Sequence, residues 1–304
     1  MNDQQRGLAD LHRHLDGSLR PETVRELAAE RGLDVPEDLP FFVGMGLQQA
    51  LSRFAFTLSL LQEPEAVRRI ADEMCDDATV EGVSTLEIRF APQLHGGAPT
   101  DEIVDAALEG ISGRAGLILC GLYGESPSVL AELVRLAKNR PGVVGIDLAG
   151  GPAEGHEYAM VDYATPFAQA KAMGLGRTVH AAEGRPPQEI RTAVENLHAQ
   201  RIGHGTTLLE DERVVALLIE KQITVEACLT SNLHVGAISR LEDHAISTWV
   251  DRGIRACVCA DNTLLSQTTA AAEMAAVSNL PDMTTEKIER LVEYGHEAAF
   301  TRAD

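Results

Sequence analysis

His12 and His14 stand two apart, directly after a short apolar run, in Leu8-Ala9-Asp10-Leu11-His12-Arg13-His14-Leu15-Asp16-Gly17. Alternate side chains of a β-strand point the same way, so His-x-His at a strand end aims two imidazoles at one point. Neutral imidazole is a common ligand for zinc and other first-row metals. The pair alone fits two surface histidines equally well. Further along, His180 is followed by Glu183, His204 sits between two glycines, and Asp261-Asn262 closes an apolar run. A single histidine at a strand end is more often structural than a ligand. Four strand ends that each finish in a metal-binding or proton-transferring side chain are hard to obtain by accident. His12, His14, His180 and Asp261 could meet at one metal, which leaves His204 and Glu183 for acid–base work.

The elements that must position these residues follow from hydrophobic patterning. Short apolar runs at 8–12, 84–90, 116–121, 142–148, 176–180, 201–203, 223–227 and 254–260 read as eight strands. The segments between them read as helices. Residues 21–31 follow Ser18, a candidate cap, with Pro21 in the first turn. Residues 64–79 carry Ala66, Val67, Ile70 and Met74 at helical spacing, and 126–138 and 211–221 behave similarly. Strand–helix alternation implies parallel strands with right-handed crossovers, and eight units imply an α/β fold, a (β/α)8 TIM-type barrel spanning 1–304 as one domain. The rival is a doubly wound open sheet, but no glycine-rich phosphate loop follows the first strand. Active sites of such barrels form at the C-terminal strand ends, where the candidate residues lie. Residues 37–61 exceed what a crossover needs and are rich in Phe41, Phe42, Phe54, Phe56, Leu58 and Leu60. They read either as extra core or, better, as a helical insertion after strand 1 that covers the barrel mouth.

Composition narrows the partners. Hydrophobic content of 44% and charged content of 24% are ordinary for a globular protein, and the net charge of −20 repels phosphate backbones and anionic lipid. Nucleic-acid polymers and membranes are therefore not expected partners. No apolar run approaches the ~20 residues that span a bilayer, and residues 1–7 lack a signal-peptide apolar region. Cys75, Cys120, Cys228, Cys257 and Cys259 lie mostly in apolar surroundings and read as buried free thiols of a cytoplasmic protein. Cys257-Val258-Cys259 puts two sulfurs on one strand face but lacks Cys-x-x-Cys zinc spacing.

Over nearly its whole length the chain resembles the adenosine deaminases of the amidohydrolase superfamily. The likeness is carried by His12-Arg13-His14-Leu15-Asp16-Gly17-Ser18, Gly145-Ile146-Asp147-Leu148-Ala149-Gly150, Thr178-Val179-His180-Ala181-Ala182-Glu183, Arg201-Ile202-Gly203-His204-Gly205 and Thr230-Ser231-Asn232-Leu233. It implies one zinc ion per chain held by His12, His14, His180 and Asp261. It implies catalytic roles for Glu183, His204 and Asp261, and substrate contacts from His14, Asp16, Gly150 and Asn262. In that scheme Glu183 gives a proton to purine N1, so it needs a raised pKa. Asp261 orients the attacking water, and His204 accepts its proton or stabilises hydroxide. The Gly150 N–H reaches N3. The His-x-Glu and Pro-Cys-x-x-Cys motifs of cytidine-type deaminases are absent. No lysine lies in strand 4 to bridge two metals, as in the binuclear relatives.

Several residues depart from the family pattern and bear on substrate. Asn262 stands where many relatives have aspartate and offers NH₂ donors to N7 without any pKa shift. Ala182 replaces a usual glycine, and its methyl is expected to crowd the base pocket. Leu229 replaces a usual proline, Gly151-Pro152 replace acidic residues, and 96–116 is shorter than usual. Asp16 favours a ribose 5′-hydroxyl over a free base, unless it only caps the turn before the first helix. The resulting expectation is hydrolytic deamination of adenosine and 2′-deoxyadenosine. The closest rival is a 5′-modified adenosine such as 6-aminodeoxyfutalosine; adenine and a non-catalytic nucleoside-binding role rank lower.

Overall fold

A computed structural model describes residues 7–301; the polar stretch 1–6 and residues 302–304 lie outside the described residues. Eight parallel strands occur in the order of the chain: β1 (Leu8–His14), β2 (Val83–Phe90), β3 (Gly116–Leu122), β4 (Val143–Ala149), β5 (Gly176–Ala181), β6 (Arg201–His204), β7 (Thr224–Ala227) and β8 (Arg255–Val258). Each pairs with the next, and helices fill the connections. This is the expected (β/α)8 barrel. Its strands are legible because each is covered on both faces and so reads as a short continuous apolar run. The seam between β8 and β1 is laced just beyond β8: Asp261 N–H donates to His12 O, and His14 N–H donates to Asp261 O, both at 2.8 Å. Among the described residues no helix is long and apolar enough to cross a membrane.

The outer helices start as the caps direct. Ser126 Oγ accepts from Ser128 N–H before the helix Pro127–Ala137, and Asp211 Oδ1 accepts from Arg213 N–H before Glu212–Lys221. The helix Pro21–Glu30 differs from expectation. Its N-cap is Arg20, with no side-chain cap, and Ser18 Oγ instead accepts from Thr263 N–H at 3.1 Å, which ties the loop after β8 to the loop after β1.

The barrel interior is charged. Glu87 and Arg89 of β2 and Thr178 and His180 of β5 sit at alternate positions, so each pair shares a face, and all are buried. Arg201 and Glu226, from β6 and β7, complete the layer. The bottom is plugged by Phe300, whose ring lies where a β-carbon on Gly176 would be, within 2.1 Å. The Arg201 guanidinium stacks 3.6 Å from the centre of that ring. All five cysteines are buried free thiols, with the sulfurs of Cys257 and Cys259 3.7 Å apart.

Candidate active site

The strand ends bring the expected metal ligands together. His12 Nε2 lies 3.2 Å from His14 Nε2, and His14 Nε2 lies 3.3 Å from His180 Nε2. Asp261 Oδ1 is 3.6 Å from His12 Nε2 and 3.5 Å from His14 Nε2. Donors about 2.1 Å from one ion at tetrahedral angles stand ~3.4 Å apart, so these four spacings suit zinc; the mutually close groups of donors are His12–His14–Asp261 and His12–His180–His204. The tautomers fit as well. Glu226 Oε2 lies 2.7 Å from His12 Nδ1 and Asp147 Oδ2 lies 3.1 Å from His180 Nδ1. Carboxylates there hold the proton on Nδ1 and turn the Nε2 lone pairs toward one another, an arrangement that a cation relieves. Burial, reinforced by nearby positive groups, holds His12 and His14 well below the ordinary imidazole range, so both are neutral donors.

Arg89 joins the two orienting carboxylates. Its Nη1 donates to Asp147 Oδ2 at 2.8 Å and its Nη2 to Glu226 Oε2 at 2.9 Å. Arg201 Nε adds a bond to Glu226 Oε1 at 2.7 Å. Burial opposes the charge on Asp147, but His180 and Arg89 hold its carboxyl well below the usual range. Asp147, Glu226 and Arg89 were not singled out by motif reasoning. The available signal was charge at alternate positions of apolar strands, which must face the interior and be paired. Arg89→Met is expected to lower stability by about 3–5 kcal/mol, because two buried carboxylates lose a shared partner. An unchanged urea midpoint would show that this layer does not hold the barrel.

The proton-transfer candidates sit beside the donors. Glu183 and His204 are both buried, with Glu183 Oε1 3.3 Å from His204 Nδ1. Asn232 Nδ2 donates to Glu183 Oε1 at 3.2 Å and lies 2.9 Å from His204 Nδ1, so the one amide holds both side chains in place. Burial pushes His204 down to about 3, so it is neutral, and raises Glu183 above the usual carboxylate range. Asn232 is a further residue quoted in a motif but given no role from sequence. His204 (φ +68°), Asp261 (φ +61°) and Ala182 (φ +58°) all occupy the left-handed region. Such strain gathers where the surroundings dictate side-chain direction. For Ala182 this overturns the expected crowding: the residue is fully buried behind the cavity, and the usual glycine is explained by its backbone angle.

Two joined cavities open from this cluster. The smaller, 50 Å³, is lined by His14, Glu183, His204, Asp261, Asn262 and Gly150, among others. The larger, 240 Å³, contains Asp16, Gly150, Leu51, Phe54, Leu58 and Leu122. Gly150 adopts φ +78°, a conformation that exposes backbone toward both. Asp16 is no helix cap. It is buried, its Oδ1 has no partner, and burial pushes its carboxyl up to about 7. The 37–61 insertion lies at this mouth, as expected. Its helix Leu47–Leu60 presents Leu51 and Phe54 to both cavities, and the Phe54 ring is 6.3 Å from His14. Gly44 and Met45 N–H donate to Leu233 and His234 O, while Phe41, Leu60 and Leu61 pack in the core and Phe42 faces solvent.

A family profile described as "Adenosine deaminase" matches residues 7–304. An adenosine deaminase of Clostridium kluyveri is 34% identical over 315 residues, which cover 96% of this chain and 88% of that protein. A probable adenosine deaminase of Dictyostelium discoideum is 31% identical over 312 residues; these cover 96% of this chain but only 40% of that longer protein. Among solved structures, an adenine deaminase from Arthrobacter aurescens superposes with a TM-score of 0.88 at 24% identity, covering 97% of this chain and 94% of that one. An N6-methyl-AMP deaminase from Arabidopsis thaliana superposes with a TM-score of 0.84 at 26% identity, covering 99% and 93%.

Proposed function

The chain belongs to the adenosine deaminase family, and on that premise we propose that it converts adenosine and 2′-deoxyadenosine to inosine and 2′-deoxyinosine, releasing ammonia, with one zinc ion held by His12, His14, His180 and Asp261. The observation that carries this reading is the buried Glu183–Asn232–His204 group set beside His14, His180 and Asp261 in one cavity, with His12 close to His14 and Asp261 behind them. When bound, zinc supplies Lewis acidity that makes a hydroxide nucleophile available at neutral pH. Glu183, whose carboxyl burial raises above the usual range, gives a proton to N1 and makes C6 electrophilic. His204, kept neutral by burial, accepts the proton of the incoming water or stabilises the hydroxide that forms. Asp261 accepts from the water and aims it at C6. The Gly150 N–H bonds N3, and Asn262 donates to N7.

Asp16 lines the larger cavity with His14, and its carboxyl is the group there that suits a hydroxyl donor such as the ribose 5′-position. The lining of neither cavity includes lysine or arginine. Of the two nearby cations in the sequence, Arg20 turns away to pair with Asp77 at 2.6 Å, and Arg13 pairs with Asp10 and Glu81. A 5′-phosphate beside Asp16 is repelled where that carboxyl, pushed up to about 7 by burial, is ionised, and it finds no cation in the lining of either cavity. Adenosine is therefore expected to exceed adenosine monophosphate in kcat/KM by a margin that grows as the pH rises above 7, and Asp16→Ala is expected to narrow the gap. Equal values for the two substrates would refute this placement of the ribose. The apolar wall of the larger cavity, with Leu51, Leu58, Leu94 and Leu122, favours one second reading, a 5′-modified adenosine. The same assay with 5′-substituted adenosines and adenine separates it.

A further inference from the structure

The candidate active site lies at the C-terminal ends of the strands, and a second concave site lies at their opposite ends. Gly176 and Arg177 open β5, Arg201 opens β6 and Thr224 opens β7. All four line a cavity of about 660 Å³ on the N-terminal face of the barrel. The chain as a whole carries −20, yet this lining holds Lys171, Arg177, Arg201, Lys221 and Arg255 against one acid, Glu297. Three of these cations are already paired: Arg201 with Glu87 and Glu226, Arg255 with Glu297, and Lys221 with Glu220. Arg177 and Lys171 have no carboxylate partner among the described residues.

Arg177 stands apart from the other buried arginines. Arg13, Arg89 and Arg201 each bind two carboxylates, the usual requirement for a charge taken out of water. Arg177 is only 9% exposed, and its partners are uncharged: Nε donates to His198 O at 2.8 Å and Nη1 to Leu175 O at 2.6 Å. Burial lowers its pKa, with no acid nearby to offset the effect. Nη2 has no partner among the described residues and is not sealed in; it reaches the cavity that the residue lines. Lys171 is close by, because it and Arg177 both add to the burial that lowers His198.

A guanidinium held by two carbonyls, with a free donor turned to a cavity, suits an anion that can accept from it. A cleft lined by one sign of charge concentrates counter-ions, and its concave shape admits a small molecule rather than a polymer backbone. We propose that this cavity is a binding site for a phosphate group, free or carried by a small phosphate monoester, with Arg177 and Lys171 as its principal contacts. The site is distinct from the one that holds the nucleoside. Arg177 is one position out of step with Thr178 and His180, so its side chain leaves β5 on the outer face, away from the metal donors. The inference therefore stands whether or not adenosine is the substrate.

Equilibrium dialysis of the full protein against radiolabelled inorganic phosphate, and separately against labelled ribose 5-phosphate, tests the site. Saturable binding that weakens with added sodium chloride is expected. Tighter binding of the ester would show that the cavity takes a sugar phosphate, and equal binding that it takes phosphate alone; either result supports the site. Phosphate can also bind a metal centre, so substitutions must locate it. Arg177→Met is expected to raise Kd at least about tenfold, the worth of one charge-assisted hydrogen bond. That variant leaves two carbonyls without donors and can lose stability. Lys171→Met alters an exposed side chain and carries the test by itself. It is expected to keep the melting temperature of the unsubstituted protein and raise Kd about two- to fivefold, the scale of an exposed charge pair. Absence of saturable binding, or binding undiminished in Lys171→Met, overturns the inference.

Discussion

Glu183→Gln is expected to keep its fold and its metal while losing turnover by roughly 10²–10⁴-fold, the usual worth of a positioned general acid. The amide has nearly the same shape and can keep a partner in Asn232, which now donates to Glu183 Oε1 at 3.2 Å. What it lacks is an acidic proton for N1. The structure favours the protonated carboxyl: the group is buried, and burial outweighs the opposing influence of Arg185 and His180. The loss should fall on kcat more than on KM, because proton donation strengthens in the transition state. Adenosine turnover within a fewfold of the unsubstituted protein, measured alongside metal content, would remove Glu183 from the mechanism.

Metal removal is expected to have an effect at least as large. The protein should carry about one zinc per chain and lose activity on chelation, because without a Lewis acid little hydroxide is available at neutral pH. His180→Ala removes one of four donors and leaves Asp147 without the imidazole it orients. Elemental analysis should find that this variant retains little metal after dialysis, while far-UV circular dichroism still reports the barrel. Full activity in protein shown to be metal-free would end the zinc hypothesis. Stoichiometric zinc in His180→Ala would show that His180 is not a ligand.

The parts legible in the sequence are those whose cause is local. His12 and His14 declare a shared face through a period of two, and the eight strands show as short apolar runs because helices cover the barrel wall. The insertion was visible through its length and its phenylalanines. Features that depend on distant partners were not. Arg89 reaches Glu226 across 137 positions, and nothing next to either residue names the other. Ser18 looked like a helix cap because caps are recognised from neighbours, yet its bond is to Thr263, 245 positions away. Ala182 was misjudged for a different reason. Its substitution for glycine was read as a matter of side-chain volume, whereas the position is governed by a backbone angle that spacing does not reveal.

The lacing of the barrel at Asp261 bears on how the protein is made. Strand β1 leaves the ribosome first, but the backbone partner that closes its free edge is Asp261, and the ring that stops the bottom is Phe300. At ~5–20 residues per second, the nascent β1 waits roughly 10–50 s for that partner. Throughout this interval its outer edge, with both histidines on it, is an open template for strands of other chains. Closure of the cylinder and assembly of the chemical centre are then one event, and it waits for residues about 250 positions downstream of β1. Slowing synthesis between β1 and Asp261 is expected to lower the yield of active protein unless β1 is shielded in the interval.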